Sequence, residues 1–171
     1  SEPKLVVSTA TLTVEVHKEH EAIEKFANIE IPRGTTKVHL RAEDNRVQYV
    51  VRLSSVSSEN FSFDQETKQL TLHVPAPVLD EDMVVVQSDP SKIEIQTEVG
   101  WFRLDSRSGQ FLRDEAQREL KPNIIAEGNK AHLLQQAEAS GEKVVKELLR
   151  PLIDSLRQEV KFIVSFERVS E

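Results

Sequence analysis

Cysteine is absent from the 171 residues, which removes disulfides, thiolate nucleophiles and thiolate metal ligands together. The absence leaves the redox compartment open, because an exported chain can avoid cysteine as readily as a cytosolic one keeps it reduced. Glycine is scarce and scattered at Gly34, Gly100, Gly109, Gly128 and Gly141. No Gly-x-Gly-x-x-Gly turn or phosphate loop can be assembled from those positions, so nucleotide binding is disfavoured and no cofactor is expected. A Gly-x-Ser-x-Gly elbow is also missing, and Ser54, Ser55, Ser57 and Ser58 have the look of a loop after a strand. No stretch approaches the roughly 20 apolar residues that span a bilayer.

What is present is a soluble composition with 30% charged and 38% apolar residues and a formal charge of −7. Residues 1–100 carry 10 basic and 17 acidic groups, whereas the remainder carries 12 of each. The acidic excess therefore sits in the first part of the chain, which argues against nucleic acid and against an anionic membrane surface as partners. The chain opens Ser1-Glu2-Pro3 without a methionine. A processed amino terminus is expected, with a targeting or anchoring segment ahead of it as the route to a membrane.

The hydrophobic period changes along the chain. Residues 5–104 alternate apolar and polar positions, as half-buried strands do, and residues 110–157 repeat every three to four, as helices do. Strands followed by a helical block predict a single α+β domain over residues 1–171, with six to eight antiparallel strands, helices packed on or projecting from the sheet, and a last strand. Val6, Ala10, Leu12, Val14 and Val16 share one parity of the first strand. Val38–Ala42 and Val47–Leu53 follow, joined by an expected hairpin at Asp44-Asn45. Further strands are expected at Phe61–Phe63, Leu70–Val74, Met83–Gln87 and Lys92–Val99, with a turn at Ser88–Ser91.

Phe111, Leu112, Ala116 and Leu120 predict a first helix that Pro122 interrupts. A second is expected from Ile124 to about residue 157, on the order of 50 Å long if unbroken, with a kink near Pro151. Its first half, rich in Ala, Gln and Glu, suits either close packing on the sheet or contact with another helix. Its second half carries the apolar pairs Val144-Val145, Leu148-Leu149 and Leu152-Ile153 and then Leu156, a wide stripe for burial. The expected final strand runs from Val160 to Val169.

Three stretches carry a resemblance to a known family: Gln69–Leu79 with its Leu-x-Leu-x-Val-Pro-x-Pro core, Val47–Ser54, and the Ala-rich helix ending in Leu148-Leu149 followed by Val160–Phe166. Together they resemble the DUF4230 family over nearly the whole chain. The resemblance implies a bacterial domain of unknown function, often preceded by a membrane-spanning segment, and it supplies no catalytic residue to carry over. Arg52 departs from the family pattern, where an Asp often precedes the Leu-Ser pair.

His17 and His20, with Glu19, Glu21 and Glu24, have metal-ligand spacing if the segment is helical. A charged connector at the end of a strand is the expected reading, and no metal is assigned. Asp80-Glu81-Asp82, Asp64 and Asp89 lack the interleaved turn glycine of a calcium loop and are expected to be solvated. His39 and His73 lie on the polar parity of their strands and are expected to be exposed strand histidines, with a meeting across the sheet in a groove as the alternative. Trp101-Phe102 is expected to seal a core edge, or to open a peptide or lipid groove beside Phe61 and Phe63 if exposed.

The function expected from this pattern is a non-enzymatic, envelope-associated interaction or scaffolding domain, with a protein partner or self-association through the helical segment. The alternatives are a hydrolase using His39 or His73 with carboxylates in a sheet groove, or a carrier of an apolar ligand between sheet and helices.

Overall fold

The structure, a computed structural model, describes residues 3–27, 29–54, 56–100, 106–156 and 159–167. The chain is α+β, with strands β1 (Lys4–Phe26), β2 (Ile29–Arg52), β3 (Phe61–Asp64), β4 (Gln69–Pro75), β5 (Val78–Leu79) and β6 (Ile93–Val99), then helices α1 (Ser106–Gly128) and α2 (Ala131–Asp154), then β7 (Lys161–Glu167). β2 pairs with β1, with β6 over residues 36–42 and with β5 at Tyr49 and Val50. β4 lies between β3 and β7 in a second sheet. The β4–β7 pairing is parallel, with Leu70 opposite Phe162 and Val74 opposite Phe166. Parallel neighbours need a long crossover, and the chain between these two contains both helices, whereas the shorter connections give antiparallel pairs.

The fold divides into two compact units, one of residues 1–10, 47–83 and 128–171, the other of residues 11–46 and 84–127. β1 and β2 each contribute to both.

In the second unit, α1 covers one face of the β1–β2–β6 sheet. Leu112, Ala116 and Leu120 recur every four residues and so share a helix face; they pack on Val16, Val38, Leu40 and Ala42, with Val86, Ile93 and Ile95 around them. Each fully buried Val or Leu contributes about 1.5–3 kcal/mol by leaving water, which makes this stripe the chief reason α1 lies where it does.

The expected hairpin at Asp44-Asn45 is not formed, and β2 continues through it. Its buried residues are Thr36, Val38, Leu40 and Ala42 on the even parity and then Asn45, Val47, Tyr49 and Val51 on the odd, with Val50 buried as well where β5 pairs with it. That change of phase requires one extra residue, and Asp44 supplies it at φ 58°, a left-handed value that aspartate tolerates. Asn45 holds the irregularity in place: its amide donates to the carbonyls of Leu12 (3.1 Å) and Ala42 (2.9 Å) and accepts the Gln87 N–H (2.9 Å). β1 changes phase as well, so that Val7 is buried and Val6, expected inside, is exposed. Met83–Gln87 forms a single bridge, Arg46 to Val85, in place of a strand. Ser88–Ser91 leads into a short 3-10 turn, Pro90–Lys92, capped by the Asp89 side chain.

In the first unit, Val7, Val47, Tyr49, Val51, Leu72, Val74, Leu79, Ala137, Val145 and Val164 are buried. Ala137, Gly141 and Val145 lie one turn apart on α2, and a Cβ at Gly141 would sit 3.1 Å from the Phe166 ring and 3.3 Å from Pro77. The small-residue half of this helix thus packs on its own chain.

The helix boundary falls elsewhere than the sequence pattern predicts. α1 runs through Pro122, which is exposed, so the missing N–H and the ring are directed to water. It ends at Gly128 instead. There the carbonyl accepts the Tyr49 hydroxyl at 2.7 Å, and a Cβ would meet the Leu79 side chain at 2.4 Å, so any larger residue requires Leu79 to shift. α2 then starts at Ala131 and runs through Pro151; its 24 residues span roughly 36 Å, shorter than the expected rod. Residues 168 and 169, part of the expected last strand, lie outside the described residues.

Candidate functional site

The sheet face of the second unit that α1 does not cover is built of charged and polar cross-strand pairs. On β1, Glu15, His17 and Glu19 alternate outward; on β2, Lys37, His39 and Arg41 do; on β6, Glu94, Gln96 and Glu98 stand opposite Arg41, His39 and Lys37. β1 ends at Phe26, β2 begins at Ile29 and the two are neighbouring strands, with His17 and His39 side by side on them. Their rings stack with centroids 4.2 Å apart and planes 6° from parallel.

Glu15 Oε2 lies 3.4 Å from His39 Nε2 and 3.7 Å from His17 Nε2. His39 Nε2 is shielded from solvent and makes no hydrogen bond of good geometry, so the nearby carboxylate is close without being aligned. The second carboxylate oxygen, Oε1, is 4.0 Å from Arg41 Nε, and Arg41 also pairs with Glu43 at 3.0 Å. A shallow groove of about 470 Å³ runs alongside, lined by Lys37, Gln96 and Glu98 among others.

Of the residues proposed from sequence, His17 therefore finds a different partner. The segment is strand, not helix or connector, and strand alternation puts His20 on the opposite face from His17. His39 and His73 do not meet in one sheet: His39 is on β2 and His73 on β4 of the other sheet. Pairing of β1 with β2 beyond Val16 was the missing signal. A hairpin centred near residue 28 would have supplied it.

His73 has its own arrangement. Its Nε2 lies 3.3 Å from Ser62 Oγ on β3, and its Nδ1 lies 3.3 Å from Glu167 Oε1 on β7. Hydroxyl, imidazole and carboxylate thus follow one another across three adjacent strands, on an exposed strip. A concavity of that unit, about 940 Å³ and open, mixes Lys4, Arg52, Asp82 and Glu138 with Val50 and Leu134.

Asp80 departs from the solvated reading. It is buried and receives both oxygens' bonds from Lys4 Nζ, at 3.0 and 2.9 Å, while Glu81 and Asp82 are exposed in a 3-10 turn. Asp64 and Asp89 are local turn caps. The Thr67 hydroxyl and N–H, then the Glu66 N–H, hold Asp64 below the usual aspartate range, and the Ser91 N–H and hydroxyl do the same for Asp89. Lys18 bridges β1 to Glu115 (3.2 Å) and Glu119 of α1, and its ammonium pKa is raised, chiefly by the Glu119 bond. Trp101 and Phe102 lie outside the described residues; Phe61 is half-buried and Phe63 exposed.

The far end of α2 leaves an apolar stripe uncovered. Leu148 and Leu152 are each 56% exposed, and Leu156, just past the end of the helix, is also exposed. The family model described as protein of unknown function (DUF4230) matches residues 2–160. The chain belongs to the DUF4230 family. No curated protein and no solved structure matches it. For this DUF4230 chain, Arg52 lines the open concavity of the first unit.

Proposed function

We propose that this DUF4230 domain is a non-enzymatic interaction or scaffolding module of the bacterial cell envelope, joining a second copy of itself through α2. One observation carries the reading. Leu148 and Leu152 lie one turn apart on an uncovered face of α2, with Leu156 exposed just past the helix end, and exposing adjacent leucines to water is unfavourable unless something covers them.

A second copy of the same stripe is the proposed cover, because a two-fold contact about Leu152 sets the two apolar surfaces against each other. Among the described residues no helix is long and apolar enough to cross a membrane, so an anchor would be supplied by a segment ahead of the domain.

Sedimentation velocity over a range of concentrations tests the pairing. A reversible dimer that Leu152→Lys converts to a folded monomer supports it, and a wild-type chain that stays monomeric throughout ends it. Fractionation of cells expressing the full-length product tests the envelope placement; recovery wholly in the soluble cytoplasmic fraction ends that part.

The Ser62–His73–Glu167 alignment favours a second reading, a hydrolase in which His73 accepts the Ser62 proton and Glu167 orients the ring. Labelling by a fluorophosphonate that disappears in Ser62→Ala would support it. An unlabelled Ser62 would remove it.

A further inference from the structure

We propose that Glu15, His17 and His39 form a site for one zinc-class divalent ion on the uncovered face of the β1–β2 hairpin. The inference is independent of self-association through α2.

The donor set is two imidazoles and one carboxylate, a combination that suits borderline ions such as Zn2+ and leaves a coordination position open. The separations also fit. Bonds of about 2.0–2.1 Å in a tetrahedron put neighbouring ligand atoms about 3.3 Å apart. Glu15 Oε2 is 3.4 Å from His39 Nε2 and 3.7 Å from His17 Nε2, and one ligand atom from each of the three side chains lies within 4.8 Å of the others.

His39 Nε2 supplies a separate reason. It is a shielded ring nitrogen without a hydrogen bond, and an ion placed at the carboxylate edge would satisfy it. The Glu15 oxygen nearest Arg41 is Oε1, at 4.0 Å from Nε, and the one nearest the two imidazoles is Oε2. Adjacent paired strands hold the three Cα atoms at fixed separation, which is the preorganisation a small site needs.

Only the rings must adjust. A metal bonds in the plane of an imidazole, and parallel stacked rings direct their lone pairs side by side. His17 is largely exposed, so it can turn about its side-chain bonds to aim at the common point. Water from the adjoining groove completes the shell.

The test is titration of the full chain with Co2+, followed by its visible ligand-field absorption and by displacement with Zn2+. The expected result is one equivalent bound with a tetrahedral-type band that Zn2+ quenches. His39→Ala and Glu15→Gln are each expected to weaken binding more than about 100-fold, while His73→Ala in the other sheet leaves it unchanged. Zn2+-induced shifts of the His17 and His39 imidazole resonances in the unmodified protein, with His73 and His132 unmoved, keep the proposal testable if a variant misfolds. Absence of binding at millimolar Co2+, unchanged affinity in folded His39→Ala, or Zn2+ shifts that miss His17 and His39 would overturn it.

Discussion

Asn45 is a single polar side chain buried completely in a sheet, and it is tolerated because each of its groups is used. Its amide donates to β1 at Leu12 and to β2 at Ala42, and its oxygen receives the Gln87 N–H. Asn45→Ala strands two carbonyls and an N–H where water is excluded, and is expected to cost about 3 kcal/mol. Urea unfolding measures it as a lowered midpoint with an unchanged slope. Tyr49 is a second case. Burial raises its hydroxyl pKa above 10.0. The folded state therefore holds that proton more tightly than the unfolded one. The stabilisation is complete below the ordinary tyrosine pKa and is lost as pH rises through the raised value. Lys18, also raised, acts in the same direction. Tyr49→Phe is expected to flatten the alkaline fall in stability between about pH 9 and pH 11, and to cost about 1 kcal/mol at neutral pH through the lost bond to Gly128. Unfolding curves at the two pH values decide it.

At the scale of elements, helix ends are set by what approaches them more than by which residues break helices. Pro122 and Pro151 both lie inside helices on exposed faces, where the lost backbone bond is replaced by water. Gly128 ends α1 because Leu79 and the Tyr49 hydroxyl occupy the space and the carbonyl that continuation would need. Gly128→Ala puts a methyl 2.4 Å from Leu79 Cδ1. Leu79 must move within a packed core, and the expected cost is about 1–3 kcal/mol, read as a lowered melting temperature. An unchanged or raised value would mean that the α1–α2 junction has slack that the packing does not show. Strands follow the same lesson: β2 passes through an Asp-Asn pair that signals a turn, because one left-handed residue and one bonded amide convert the turn into a bulge.

At the scale of the molecule, the chain passes between its two compact units four times, twice within unbroken strands. Strands that belong to both units cannot unravel in one without losing pairing in the other, so unfolding is expected to be a single transition. Leu40→Ala and Val74→Ala, buried in different units, should each lower that transition by the cost of a large-to-small change, about 2–5 kcal/mol for the leucine and less for the valine. Calorimetry that resolves two separate transitions, each moved by only one of the substitutions, would contradict it. The acidic excess of the first 100 residues is only partly offset by pairs such as Glu15 with Arg41 and Asp80 with Lys4.

Composition and period by themselves determined the α+β class, the order of strands before helices and the α1 stripe through Leu112, Ala116 and Leu120, because these are local repeats that each residue reports directly; the family was legible through its motifs, as a resemblance. Which strands share a sheet, where β2 bulges, why α1 outlasts Pro122, and that His17 meets His39 while His73 meets Ser62 and Glu167 were decided by tertiary structure. Those features depend on pairings between residues distant in sequence and on buried bonds at Asn45 and Tyr49. A one-residue bulge exchanges the two faces of everything after it, and alternation alone carries no record of which face its neighbour in the sheet presents.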